Sequence, residues 1–162
     1  MESQATQDIR KLFNVYLEQL HPSYLDYIRV NDPQGTEKLF LDFAEDLANN
    51  MNSPNNLFNA VASNFMQAQI ISFILGHQKL PSDEEYREIQ RKSYKISIDS
   101  LCPTKTFGGR LCEYYKRVFD EDNIEKLVNN SKILERLKRH GDDLFTSLRG
   151  IWEDKWVQIK VE

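Results

Sequence analysis

Residues 53–78 read SPNNLFNAVASNFMQAQIISFILGHQ and contain the longest apolar run of the chain. Ser53 followed by Pro54 is typical of a helix N-cap and first helical position, where the missing N–H of proline costs nothing. Apolar residues first recur on one side of the helix and then, from Ile70 to Leu75, around its whole circumference. A helix that is apolar all round is normally enclosed by others, so this stretch predicts a central helix over roughly residues 54–78.

The residues before this stretch predict three amphipathic helices. Apolar residues within 9–20 recur at three- and four-residue spacing, which places them on one helix face. Pro22 ends this helix, Ser23 is expected to cap a short second one, and the turn-forming residues 31–35 precede a third. The Asn-rich stretch 49–56 then separates the third helix from the central one.

Further helices are predicted after the central one. Ser82 and Glu85 have the spacing of a capping box, and the helix that they begin is expected to run to about Leu101. Two shorter amphipathic segments follow, and Ser131 is expected to cap a late helix. Gly141 lies in the apolar periodicity of that helix, but the sequence Gly-Asp-Asp favours a break there.

Length and composition predict one folded domain. The chain has 162 residues, 40% of them hydrophobic, and a net charge of −4, so it is long enough to bury a core and too weakly charged to stay expanded. No repeat or long linker divides it. The expected fold is therefore all-α: a single domain over residues 1–162, with seven or eight helices bundled around the central hydrophobic helix and an optional short extended segment at the C-terminal end.

The chain also carries signals about its cellular location. Its N-terminus lacks the basic start and apolar core of a secretory signal, and no apolar run approaches the ~20 residues of a membrane span. A cytoplasmic protein without a membrane partner is therefore expected. Cys102 and Cys112 are expected to be free thiols in a reducing compartment, with a bridge between them as the alternative. The high Asn and Ile content relative to Ala favours a microbial or viral source.

Charge is divided unevenly along the chain. Residues 1–85 hold 5 Lys/Arg and 12 Asp/Glu, whereas residues 86–140 hold 13 and 8. The acidic half is a candidate surface for docking, and the basic helices are candidates for contact with a nucleic-acid backbone or an acidic partner. The basic candidate residues are Arg87, Arg91, Lys92, Lys95, Arg110, Lys116, Arg117, Lys132, Arg136, Lys138 and Arg139.

An ordinary solvated helix surface is the alternative reading of these basic residues. Four acid-first pairs have the i,i+4 spacing that stabilises exposed helices. The pairs are Asp83 with Arg87, Glu88 with Lys92, Glu113 with Arg117, and Glu135 with Arg139. The overall pI near 5.5 argues against a dedicated nucleic-acid binder, though not against a subunit that makes auxiliary backbone contacts.

The C-terminal end supplies a second candidate docking element. Its two tryptophans are four residues apart, and the last residues alternate between apolar and polar. Addition as a strand to a partner and packing onto the domain's own core are both compatible with this pattern. The residues of this docking tail are Trp152, Trp156, Val157, Ile159 and Val161.

Candidate chemical sites are weak. The loop at 104–110 reads TKTFGGR and could hold an anion at a helix N-terminus with Lys105 and Arg110, although a structural turn is the simpler interpretation. The three histidines fall at predicted helix ends, and none has a second His or Cys at metal-ligand spacing. Residues 120–123 resemble a calcium loop only in charge. No catalytic residue, metal or cofactor is therefore predicted.

These patterns favour a non-catalytic helical subunit or adaptor, such as an inhibitor, immunity or assembly protein, which docks to another protein or larger assembly. A helical subunit of a nucleoprotein complex, contacting a nucleic-acid backbone through the basic helices, is the alternative. An enzyme with an unrecognised site is the third hypothesis. The sequence does not specify the oligomeric state.

Overall fold

The computed structural model describes residues 2–32 and 34–152, with side chains described as far as Gly150. Within these residues the chain forms eight α-helices and no strand, which confirms the predicted all-α bundle with a central apolar helix. The helices are α1 (Gln4–Gln19), α2 (Pro22–Asn31), α3 (Gly35–Ala48), α4 (Pro54–His77), α5 (Asp83–Leu101), α6 (Arg110–Val118), α7 (Glu121–Val128) and α8 (Ser131–Trp152).

The central helix is α4. It begins after Ser53, whose Oγ accepts a hydrogen bond from the Asn56 N–H at 3.0 Å. Helices α1, α2, α3, α5 and α8 pack against it, and half of its 24 residues are buried. Among the described residues it is the one helix long and apolar enough to cross a membrane, and 61% of its most apolar window is buried inside the bundle. Packing within the protein therefore accounts for its composition.

Two aromatic clusters join the other helices around α4. In the first, the Phe13 ring of α1 lies 5.3 Å from Phe40 and 5.5 Å from Phe43 of α3. In the second, Phe58 of α4 stacks on Phe119 with ring centroids 3.7 Å apart and lies 5.5 Å from Tyr115. Such pairs contribute about 0.5–1.5 kcal/mol each beyond the burial of their area. Helices α1 and α6 are thereby fixed to the same core.

Two of the predicted helix caps are wrong by one or two residues. The cap of α2 is His21 rather than Ser23, because the His21 Nδ1 accepts from the Ser23 N–H at 3.1 Å. Before α8 the capping side chain is Asn130 rather than Ser131, since its Oδ1 accepts from the Lys132 N–H at 2.9 Å. In each case an acceptor earlier in the chain takes the position that the nearest serine was expected to hold.

Helix α8 runs through Gly141 without interruption, so the predicted break is wrong. Gly141 is buried against Tyr86 of α5, and a Cβ atom at position 141 would overlap the Tyr86 hydroxyl. Glycine in a helix interior costs roughly 0.5–1 kcal/mol relative to alanine. Here the absence of a side chain at Gly141 allows α5 and α8 to approach closely, and the glycine does not end the helix.

The prediction of two free thiols is also wrong. Cys102 and Cys112 are bonded to each other, with their Cα atoms 4.8 Å apart. The bridge closes the loop between α5 and α6, and Phe107 within this loop is buried in the core. Ten residues of sequence separation gave no indication of this geometry, because pairing depends on how the loop folds back.

A buried carboxylate fixes the same loop to α1. Asp8 is fully buried, and its carboxylate accepts hydrogen bonds from the Thr106 N–H at 2.7 Å and from Gln4 Nε2 at 3.0 Å. Burial alone would raise the pKa of Asp8, but the hydrogen bonds from Thr106 and Gln4, with the nearby Lys11 ammonium, hold it below its ordinary value of 3.8. Asp8 therefore stays ionised inside the fold.

Candidate functional site

Two basic residues of α5, Arg87 and Arg91, are largely neutralised by the protein's own carboxylates. The Arg91 guanidinium donates through Nε and Nη2 to the two oxygens of Glu125 on α7, at 2.8 and 3.1 Å. Its Nη1 donates to Glu84 at 3.0 Å and to Glu88 at 3.1 Å, while Arg87 lies 3.6 Å from Glu84. The hydrogen bonds to Glu125, Glu84 and Glu88 raise the pKa of Arg91 well above its ordinary value. Arg87 and Arg91 therefore have little charge left for a phosphate backbone.

Most of the other predicted basic residues are not neutralised in this way. On α8, Lys138 lies 3.0 Å from Asp83 at the start of α5, and hydrogen bonding to that carboxylate raises the pKa of Lys138. The remaining candidates form no ion pair with any residue of the described part of the chain. These are Lys92, Lys95, Arg110, Lys116, Arg117, Lys132, Arg136 and Arg139.

None of the four predicted i,i+4 pairs forms within the described residues. Glu88 pairs with Arg91 rather than Lys92, and Asp83 pairs with Lys138 rather than Arg87. The partners come from i,i+3 neighbours and from other helices, because tertiary packing places those carboxylates closer. Which carboxylate pairs with each basic side chain thus depends on the neighbouring helices in the fold.

Two basic residues of the candidate set line separate grooves. Lys92 borders a groove of about 530 Å³ between α1, α4 and α5, which we call the α1–α5 groove. Arg136 borders a groove of about 510 Å³ between α4 and α8, which we call the α4–α8 groove. In the α1–α5 groove, Gln69 of α4 donates to Gln19 of α1 at 2.7 Å and to Ser93 of α5 at 3.0 Å. That groove is thus bridged by hydrogen bonds within the protein.

The α4–α8 groove contains polar groups that the sequence reasoning missed. One wall carries Asn59, Ser63 and Gln67 of α4, at four-residue spacing, and the opposite wall carries Arg136 and His140 of α8. His140 Nε2 lies 3.3 Å from the Gln67 Oε1. The sequence did contain a signal for this groove, which is the stripe of uncharged polar residues on an otherwise apolar helix. That stripe lies on the face of α4 that no other described helix covers.

The acidic half of the chain exposes its apolar side chains on and beside α2 and α3. Helix α2 buries none of its ten residues. Val30 is 53% exposed, Leu41 of α3 is 58% exposed, and Met51 beyond α3 is 38% exposed. Residues 22–51 carry six Asp/Glu against two Lys/Arg. We call residues 22–51 the α2–α3 segment.

The weaker chemical candidates occupy structural positions. In the 104–110 loop, the Phe107 N–H donates to the buried Thr104 hydroxyl, while Lys105 and Arg110 point outward as exposed residues. His77 ends α4 with its ring 4.3 Å from that of Phe73. His21 also lies at a helix end, as the N-cap of α2, whereas the predicted position of His140 at a helix end is wrong because His140 lies within α8.

Two candidate features have no counterpart in the described structure. No group of three His, Cys, Asp or Glu side chains converges as metal ligands would, within the residues that the structure describes. The side chains of the predicted docking tail lie outside the described residues. Comparison with known proteins gave no match to any family model, to any curated protein or to any solved structure.

Proposed function

We propose that this protein is a non-catalytic helical adaptor or subunit that docks to another protein through its α2–α3 segment. Helix α2 is the observation that carries the proposal, because half of its ten side chains are apolar and none is fully buried: Val30 is 53% exposed and the other four are half-buried. A helix of this length is marginal in isolation and normally buries its apolar stripe. A partner that covers α2 would complete its burial. The apolar residues of α2 are Tyr24, Leu25, Tyr27, Ile28 and Val30.

The charge of the same segment indicates the chemistry of the partner. With six acidic and two basic residues, the α2–α3 segment combines a net negative charge with its exposed apolar side chains. Complementary interfaces place apolar residues at the centre and opposite charges at the edge. The expected partner surface is therefore an apolar patch bordered by Lys and Arg.

The proposal is tested with the double variant Val30→Glu, Leu41→Glu. Both side chains are more than half exposed, so the fold is expected to tolerate the change, which helical circular dichroism checks. The matched control is Leu80→Glu, since Leu80 is an exposed apolar residue outside the α2–α3 segment. Quantitative affinity capture from source cells should lose the partner with the double variant and retain it with the control. Equal capture by both variants would refute docking through this segment.

A second function, contact with a nucleic-acid backbone within a larger assembly, is favoured by the eight candidate basic residues that form no ion pair with a residue of the described part of the chain. Phosphate contacts lose affinity steeply as salt rises, so fluorescence anisotropy with unrelated oligonucleotides at about 50 and 200 mM salt tests it. Salt-sensitive binding that disappears in Arg136→Glu, Arg139→Glu would support this function. An absence of binding at the lower salt concentration would exclude it.

A cytoplasmic location is part of the proposal, and it predicts the redox state of the two cysteines. Disulfides are rare in the reducing cytosol. A cytoplasmic location therefore requires that the Cys102–Cys112 disulfide of the structure be reduced in the cell. Rapid alkylation of intact cells, followed by mass spectrometry, measures the two states. A fully oxidised pair would contradict a cytoplasmic location.

A further inference from the structure

The α4–α8 groove has the size of a small-molecule site. Its volume of about 510 Å³ falls within the roughly 300–1,000 Å³ range of ligand pockets. Five helices contribute to its lining, with α3 represented by Asp46, α5 by Tyr94 and α7 by Leu127. Sites of this kind occur between helices of bundles, where rigid elements fix the positions of a few polar groups.

One wall of the groove carries an unneutralised cation. Arg136 forms no ion pair with any described residue, in contrast to Arg91 on α5. Arg136 lies close enough to Tyr94 to oppose the rise in the pKa of Tyr94 that burial causes. Arg136 is an exposed residue, and it lines the groove together with the buried Tyr94. Its planar fork of donors matches the oxygens of a carboxylate or a phosphate.

The hydrogen-bonding groups of the opposite wall are held in place by the protein. Asn64 donates both of its amide hydrogens, to Asp46 Oδ2 at 2.7 Å and to the Ala60 carbonyl at 2.8 Å. Its side-chain oxygen therefore remains an acceptor. The 3.3 Å contact between His140 and Gln67 links the two walls at the α8 side. Such fixed groups favour a ligand with hydrogen-bonding atoms near its charge.

The floor of the groove is apolar. Met66 and Tyr94 are almost fully buried, and Ile133 and Leu137 of α8 are half-buried along the same hollow. An inorganic ion would leave this surface in contact with water. A ligand with an apolar body would cover it and gain the hydrophobic contribution.

We infer that the α4–α8 groove binds a small organic anion, with a carboxylate or phosphate monoester on Arg136 and an apolar body over Met66, Tyr94 and Leu137. The site shares Asp46 with the α2–α3 segment, but it is tested separately from the docking proposal, because its lining contains no residue of α2 and none of the exposed apolar side chains of that segment. It also differs from a nucleic-acid surface, since a small ligand in the groove needs Arg136 and does not need Arg139. That difference provides the test.

The experiment is an NMR titration of the full-length protein with four probes: phenyl phosphate, benzoate, inorganic phosphate and benzyl alcohol. The first two combine an anion with an apolar ring, and they distinguish a phosphate site from a carboxylate site. Inorganic phosphate supplies the anion without an apolar ring, and benzyl alcohol supplies the ring without an anion. At least one of the combined probes should bind saturably with a dissociation constant of about 1 mM or tighter, shifting signals of Tyr94, Ile133 and His140. Each half alone should bind about tenfold more weakly or worse.

Two matched variants on α8 decide the result. Arg136→Gln should weaken the tighter combined probe by about tenfold or more, because a charge-assisted hydrogen bond is lost. Arg139→Gln removes the same charge three residues away, from a residue outside the groove lining, and should leave the affinity unchanged. Saturable binding of neither combined probe up to about ten times the expected dissociation constant would overturn the inference. Equal weakening by both variants would also overturn it, since it would indicate a diffuse charge effect.

Discussion

Helices α5 and α8 look alike in sequence but differ in how the fold treats their charges. Both carry basic residues at helical spacing with acidic residues among them. On α5, Arg91 donates to Glu84, Glu88 and Glu125, and the last of these comes from another helix. On α8, Arg136 and Arg139 have no ion pair with a described residue. Similar sequences therefore place Arg91 of α5 in a charge network and leave Arg136 and Arg139 of α8 as available cations.

The difference follows from where each helix lies. Helix α5 packs against α1, α4, α6, α7 and α8, so carboxylates of its neighbours can reach its side chains. Helix α8 packs against α4, α5 and α7 and leaves one side to the α4–α8 groove. We conclude that Arg91 of α5 is fixed by contacts within the protein, whereas Arg136 and Arg139 of α8 are available to a ligand or partner. The predictions below alter each helix in turn.

The largest effect is expected where the two helices touch. Gly141→Ala would place a Cβ atom against the Tyr86 hydroxyl, and overpacking of this kind costs typically about 1–3 kcal/mol. We expect a loss of about 2–3 kcal/mol in the free energy of unfolding, measured by urea denaturation. The control is Gly76→Ala in α4, where no atom lies within 4 Å of the new Cβ, and this variant should be neutral or stabilising.

A rescue variant separates this contact from a general intolerance of position 141. The Tyr86 hydroxyl is buried without a hydrogen-bond partner among the described residues, so Tyr86→Phe alone should cost little stability. Combined with Gly141→Ala, it should restore at least half of the lost stability by removing the overlapping atom. Additive losses in the double variant would show that Tyr86 is not the obstacle.

The next largest loss of stability is expected from Asp8, which holds the loop that follows α5. Asp8→Ala would leave the Thr106 N–H without its acceptor, which costs about 1–2 kcal/mol. Asp8→Asn keeps an acceptor but removes the charge. Because the pKa of Asp8 is lowered in the fold, its ionised form stabilises the protein at pH values above the ordinary carboxyl value of 3.8, and this contribution is lost as the pH falls through the lowered pKa.

The measurement for Asp8 is the free energy of unfolding between about pH 7 and pH 2, for the wild type and Asp8→Asn. The wild type should be more stable at neutral pH, and the gap should narrow below about pH 4. A gap that stays constant across this range would show that the ionisation of Asp8 does not stabilise the loop. A gap that widens in acid would contradict the sign of the pKa shift.

The fold was predictable because its main signals are local. The apolar periodicity of residues 54–78 identified the central helix, and the spacing of Ser82 and Glu85 identified the start of α5, where Ser82 and Glu85 exchange hydrogen bonds of 2.9 and 3.2 Å. Gly141 misled the prediction because glycine serves both as a helix end and as a site of close approach. The two roles have the same local sequence, and only the position of Tyr86 distinguishes them.

The candidate sites were less predictable, because they depend on which helices become neighbours. The ion pair of Arg91 with Glu125 joins residues 34 positions apart, and no helix-spacing rule contains it. The α4–α8 groove needs Arg136 and Gln67 on facing walls, which follows from the path of α8 across α4. By contrast, the acidic character of the α2–α3 segment was visible in composition alone.

A smaller effect is expected from the charge network of α5. Arg91→Gln removes the bidentate contact with Glu125, and exposed ion-pair networks contribute at most about 1 kcal/mol each. We expect a loss of stability below that value, which decreases in high salt as screening weakens the network. Thermal unfolding at low and high salt measures both. Arg91→Gln with unchanged stability at low salt would show that the network contributes nothing.

The smallest effect is expected from the matching change on α8, and it is the most informative about function. Arg139→Gln removes an exposed cation without an ion pair to a described residue, so its stability should stay within about 0.5 kcal/mol of the wild type. The same thermal unfolding at low salt that is used for Arg91→Gln measures it. A loss comparable to that of Arg91→Gln would show that α8 uses its charges to hold the fold. An unchanged stability means that the fold does not require Arg139, so any binding that this variant loses reports a contact with a partner.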